Sequence, residues 1–234
     1  MNRRVICIGA AFALLAGLVV ADVAMPRGKW TPIRMTSEHV TIALGRASVK
    51  VEATFVLENG KDPATVVVGY PRGVLEKSLD DFAVTVDGEK VAVSSQKGGS
   101  DRGRMRGDEG PSKPGVAQKY AYQFDGPYPE WKTFEVKFPE KGRRTVVVRY
   151  SVAPAEVETE SGKLLTYVYT LKTGATWSGN IDKAVIEALI DGVEVVSKTP
   201  ANPTQKLEGM KPFLVWTFKD FKPTQDIEIT FKAK

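Results

Sequence analysis

The sequence predicts an all-β protein, two closely packed antiparallel β-sandwich lobes after an N-terminal signal helix. Three observations predict it. Apolar and polar residues alternate in period two over most of the chain, turn pairs such as Asn59-Gly60, Asp87-Gly88 and Asp191-Gly192 punctuate these runs, and no long amphipathic helix is written into the sequence.

The first element is not a strand. Arg3 and Arg4 precede an apolar run from Val5 to Val20, which closes on small residues at Ala21 and Ala24. These are the parts of a secretory signal peptide, residues 1–21, with cleavage expected after Ala21 or Ala24. The competing expectation is an uncleaved anchor over residues 5–20, although spanning a bilayer takes about 20 apolar residues. The expected address is therefore periplasmic or secreted, with no stable membrane span after cleavage. Cys7, the chain's one cysteine, falls inside this run. The exported chain is thus expected to form no disulfide and to depend on an apolar core.

Composition narrows the partners. The chain has 234 residues and a formal net charge of +5, with acids and bases interspersed, and removal of Arg3 and Arg4 lowers that charge further. A nucleic-acid reader would concentrate its basic residues on one element, so no nucleic-acid partner is expected.

A first lobe is predicted over residues 30–155. Val40, Ile42 and Leu44, then Val49, Val51, Ala53, Phe55 and Leu57, alternate with polar neighbours as half-buried strands do. Asn59-Gly60 followed by Thr65–Pro71 predicts a hairpin. Phe82–Val86 and Lys90–Val93 around Asp87-Gly88 predict a second, and Phe134–Phe138 with Thr145–Tyr150 around Pro139–Gly142 a third. Residues 95–116 interrupt the pattern with Gly, Arg102, Arg104 and Arg106 and almost nothing able to fill a core. A mobile, solvated loop is expected there, and an ordered anion site is the alternative.

The acidic, turn-rich run 156–162 marks the expected boundary before a second lobe over residues 163–234. There Ala184–Ile190 and Val193–Val196 around Asp191-Gly192 predict a fourth hairpin.

Catalytic groups are sparse. His39 is the one histidine, which argues against an ordinary zinc site or a nucleophile–base pair and reads as a surface residue. Asp80-Asp81, Glu156 with Glu158 and Glu160, and Asp226 with Glu228 could supply paired carboxylates of the kind glycosidases use, but read as solvated turn and strand charge. No catalytic residue, metal or cofactor is expected. Trp177, Asn180 and Trp131 are weak ligand-contact candidates, since tryptophan beside glycine can stack on a sugar or a partner ring. The competing expectation for Trp177 is a plug in the end of the sandwich, around which Gly174 and Gly179 let the backbone bend.

Thr173, Gly174, Ala175, Trp177, Gly179 and Ile181, preceded by the strand Tyr167–Leu171, form a pattern that resembles the exported bacterial family called domain of unknown function 4424. Met35–Ile42, Phe55–Asn59, Val68–Pro71 and Phe218–Asp226 are similar in the same order. That resemblance implies an exported β protein and carries no established functional residues. The front half also resembles the β-sandwich module at the front of inter-alpha-trypsin inhibitor heavy chains, which implies fold alone. The expected function is a non-enzymatic binding or scaffolding module of the cell envelope, with a protein or glycan partner. The alternative is a carboxylate-based hydrolase acting on an envelope or extracellular polymer.

Overall fold

A computed structural model describes residues 33–72, 78–97, 118–119, 128–159 and 162–234 of the chain. The fold is all-β. An eight-stranded sheet runs from edge to edge through β14 (Thr204–Glu208), β15 (Lys211–Phe221), β12 (Ile181–Leu189), β1 (Ile33–Ala43), β2 (Val49–Asn59), β9 (Arg143–Val152), β4 (Asp80–Val86) and β5 (Glu89–Lys90). Two four-stranded sheets accompany it. One is ordered β6 (Ser94–Lys97), β8 (Glu130–Phe138), β3 (Ala64–Arg72), β7 (Gln118–Lys119), and the other β10 (Ala155–Thr159), β11 (Gly162–Tyr169), β16 (Ile227–Ala233), β13 (Val193–Thr199).

Pairing is antiparallel in the eight-stranded sheet except between β1 and β12, which run parallel with Glu38 opposite Ala184 and Val40 opposite Ile186. That parallel seam joins strands from the front and back halves of the chain. The two halves therefore share one continuous sheet, and β1 lies near its middle.

Alternation explains which face is buried. Val49, Val51, Ala53, Phe55 and Leu57 of β2 and Val146, Val148, Tyr150 and Val152 of β9 point inward, with polar or half-buried residues between them. Facing them, Tyr70 of β3 packs with its ring centroid 5.2 Å from Tyr150 and 5.4 Å from Phe82. Tyr150 also shares a 2.8 Å hydroxyl–hydroxyl hydrogen bond with Tyr167 of β11. One contiguous apolar cluster draws on all three sheets, with Phe55, Tyr70, Tyr169, Trp177 and Phe231 among its largest fully buried members. Each such side chain contributes about 1.5–3 kcal/mol by leaving water.

The predicted hairpins need correction. Only the turn at Asp87-Gly88 joins strands that pair with each other, and its return strand β5 is two residues long. Both turn residues are left-handed, with φ 52° and 87°, as a tight hairpin turn requires. The other three turns are arches. Around Asn59-Gly60 the chain passes from β2 in the large sheet to β3 in a small one; around Pro139–Gly142 it passes from β8 back to β9; around Asp191-Gly192 it passes from β12 to β13. Turn chemistry fixes where a chain reverses. It does not fix whether the returning strand pairs beside its predecessor or crosses to the facing layer, because either placement buries the same apolar face.

Asn59 shows how the arches are held. It is 1 % exposed, its Nδ2 donates to the carbonyls of Asp62 (2.7 Å) and Pro139 (3.0 Å), and its backbone N–H donates to Gly142 (2.8 Å). Lys141 N–H in turn donates to the Lys61 carbonyl at 2.9 Å, so two arches from distant parts of the chain are tied side by side.

The expected signal segment and residues 98–116 of the loop predicted over 95–116 lie outside the described residues. Among the described residues no helix is long and apolar enough to cross a membrane.

Candidate functional site

The outward face of the eight-stranded sheet carries an open depression of about 610 Å³. Strand register explains its shape. Thr41, Glu52, Arg149 and Ala83 stand side by side across β1, β2, β9 and β4, and in the next outward row Ala43, Lys50 and Ser151 do the same. Ala43, Ala83 and Ser151 are small, so they leave a hollow. Lys50, Glu52, Arg149 and Asp81 stand around it as two bases and two acids.

Local backbone geometry completes that ring. β4 carries a bulge between Asp80 and Ala83, and Asp81 within it is left-handed at φ 53°. Its carboxylate accepts a 3.4 Å contact from Ser151 Oγ. Across the hollow Arg149 Nε donates to Glu52 Oε2 at 2.6 Å. Both of these charged side chains remain about half exposed, so solvent and a partner can compete for them.

Further along the same outward face, Glu187 is held between His39 Nε2 at 3.0 Å and Lys206 Nζ at 3.2 Å. Partial burial opposes its ionisation, but hydrogen bonds from His39 and Lys206 outweigh it and hold the carboxyl below its ordinary range.

On the inward face the sheet buries an acid. Glu38 of β1 is 1 % exposed, and its Oε1 accepts a 2.7 Å hydrogen bond from the Tyr169 hydroxyl of β11. Its Oε2 has no hydrogen-bond partner among the described residues. Burial is the main cause that pushes its pKa up to about 7, against the lowering effect of the Tyr169 hydrogen bond. Sequence reasoning passed over this residue in favour of its neighbour His39. The signal was present, since Glu38 shares parity with Val40 and Ile42, and a strand that buries those two must turn Glu38 inward as well. A bulge between Met35 and Ser37 lets Ile33 and Met35 face the same core despite their opposite parity.

The residues singled out from sequence occupy other places. Trp177 is 2 % exposed and fills the core behind a 3-10 turn at Lys172–Thr176. Thr173 and Gly174 of that turn are buried; Ala175 is half-buried and Ile181 opens β12 inside the core. Gly179 is left-handed at φ 69°. Ser178 N–H docks the segment on the Ile33 carbonyl at 3.1 Å, and Lys222 Nζ holds the Trp177 and Gly179 carbonyls, each at 3.0 Å. Asn180 is exposed and donates to Asp220 Oδ1 at 3.1 Å. Trp131 is 3 % exposed on β8, edge-to-face with Tyr128 at 5.0 Å. None of these residues lines the depression.

The carboxylate clusters fall on different elements, Asp80-Asp81 on β4, Glu156 and Glu158 on β10, and Asp226 and Glu228 before and on β16, while Glu160 lies outside the described residues. Asp226 receives Lys172 through both its backbone N–H (3.0 Å) and its ammonium (2.9 Å), and Glu156 is paired with Lys163 at 2.7 Å. Among the described residues no group of three or more histidine, cysteine or acidic side chains is arranged to hold a metal ion.

The fold has solved counterparts. A Legionella pneumophila protein described provisionally as a nutrient binding protein aligns with a TM-score of 0.64 at 15% identity, over 91% of this chain and 71% of that one. An M1 zinc metallopeptidase from Deinococcus radiodurans aligns with a TM-score of 0.42 at 8% identity, over 86% of this chain and 42% of its own length. At 15% identity the Legionella protein establishes likeness of fold alone. No known family profile matches the sequence, and no curated protein matches it.

Proposed function

We propose that the protein is an exported, non-enzymatic binding module of the cell envelope that receives a segment of another protein on the outward face of its eight-stranded sheet. The observation that carries this reading is the open depression framed by Lys50, Glu52, Asp81 and Arg149 over a floor of small residues. Its charges balance, which suits a partner of mixed charge better than a polyanion. Tyr150, the one aromatic residue among those around it, is 3 % exposed and turns its hydroxyl to Tyr167, so a sugar ring would find no stacking platform there. This favours a protein partner over a glycan. The likeness to the domain of unknown function 4424 family belongs to the same proposal, with residues 173–181 serving as a structural closure of the back half.

A carboxylate hydrolase draws support from the presence of both Glu52 and Asp81 around one hollow. Against it, Glu52 is neutralised by Arg149. The two readings separate experimentally. A photo-crosslinking residue at Ala43 should capture one protein reproducibly in living cells, and Arg149→Glu should abolish that capture. Capture indifferent to Arg149→Glu would contradict the proposal, as would turnover of an envelope polymer that stops in Glu52→Gln.

A further inference from the structure

Among the described residues Glu38 is the one acid that the fold removes from water, and it stands on the strand shared by both halves of the molecule. In register it faces Phe55 of β2 and Ala184 of β12, which offer no charge. From the opposing layer Tyr169, the last residue of β11, reaches its Oε1, while Oε2 is left without a hydrogen-bond partner among the described residues. Tyr169 is followed directly by Thr170, Leu171 and the 3-10 turn that brings in Trp177. One hydrogen bond therefore ties the central strand to the entry of the segment that closes the back half.

Among the other titratable groups on the neighbouring elements, Lys50, Lys183 and Glu228 are exposed, Lys232 is half-buried and several are engaged elsewhere. Tyr167 of β11 is bonded to Tyr150 of β9; Asp226, just before β16, is held by Lys172; Lys222 bonds the carbonyls of Trp177 and Gly179; and His39 and Arg34 of β1 are paired with Glu187 and Asp182 on the outward face. Among the described residues no basic group lowers the Glu38 pKa, which is set by burial and the Tyr169 hydrogen bond.

We propose that Glu38 and Tyr169 form a proton-operated latch between the shared sheet and the end of β11, closed while the carboxyl carries its proton and loosened when the proton leaves. An isolated carboxylate in an apolar surrounding is strongly unfavourable, and one hydroxyl donor offsets that only in part. The junction can relieve the charge by letting water reach Glu38, and the yielding side is the end of β11 with its turn, because Tyr169 pairs only with Ile227 of β16 whereas Glu38 is paired with Phe55 on one side and Ala184 on the other.

The sign follows from the raised pKa. The unfolded chain releases this proton near 4.5, whereas the folded chain holds it to about 7. The contribution to stability is therefore complete below 4.5, declines as pH rises toward 7 and stays low above it. The full span corresponds to a factor of about 300 in the folding equilibrium.

Titration of the Glu38 side-chain carbon by NMR tests the ionisation directly, and amide hydrogen exchange, corrected for intrinsic rate, tests the loosening. The expected result is a midpoint near neutrality and a gain in exchange between pH 5.5 and 8.5 concentrated in residues 165–181. Glu38→Gln should remove that gain. Tyr169→Phe should move the midpoint to higher pH, since it deletes the bond that favours the ionised form. Histidine is the residue type that changes charge near neutrality, so His39→Gln serves as the control and should leave the gain in place. An ordinary midpoint near 4.5 in the unaltered protein would overturn the latch, and this measurement stands even where Glu38→Gln fails to fold. So would a gain spread evenly over the molecule, or one that survives in Glu38→Gln.

Discussion

Trp177 is enclosed in the core, and its segment is fastened by the Ser178 N–H on the Ile33 carbonyl and by Lys222 on the Trp177 carbonyl. Trp177→Ala should cost about 3–5 kcal/mol, as large aromatic deletions in packed cores do. Thermal or denaturant unfolding checks this, and a melting temperature within a degree or two of the parent would contradict the buried placement. Charge sets a different limit at low pH. Hydrogen bonding from Lys132, aided by Arg72, holds the Glu130 carboxyl below its ordinary range even though burial pulls the other way. Stability from that network is present above the ordinary carboxylate range and is lost as pH falls through the lowered pKa. Glu130→Gln should therefore flatten the acid limb of the stability curve below about pH 4. An unchanged acid limb would show that the network contributes nothing.

The arches depend on Asn59 more than on the glycine that follows it. Asn59→Ala would take the Asn59 donor from the Asp62 carbonyl and leave the Pro139 carbonyl with the Gly142 N–H, and should cost about 1–3 kcal/mol. Equilibrium unfolding measures the loss, while Asn59→Asp, which keeps the shape but not the donor, should be comparably damaging. Asn59-Gly60 also shows where the sequence could be read and where it could not. Many of the strands were legible from alternation, as in Val49 to Leu57, because burying one face of a strand forces period two, but β10, β14, β15 and β16 were not singled out. The partner of each strand was not legible. Asp87-Gly88 makes a hairpin and Asp191-Gly192 an arch although both are Asp-Gly, because the choice is made by which layer has room for the returning apolar face. The depression was hidden for a related reason. Thr41, Glu52, Arg149 and Ala83 become neighbours only once four strands are in register, and nothing in their spacing along the chain announces it. Glu38, by contrast, could have been found from parity alone.

Among the described residues the molecule has a sheet whose inward face is committed to two smaller sheets and whose outward face carries the open depression. The inward face contains the apolar cluster, the tyrosine contacts and the buried acid, so substitutions there are read out as stability. The outward face carries charge on a scaffold held from behind, so substitutions there can alter binding while the fold persists. Ala83 is exposed at the depression, and a larger side chain at that position would extend into the hollow rather than into the core. The most direct measurement is partner capture by Ala83→Trp beside its melting temperature. The binding-face account predicts a melting temperature within a degree or two of the parent and loss of the protein captured through Ala43. Undiminished capture by a stably folded Ala83→Trp would contradict it.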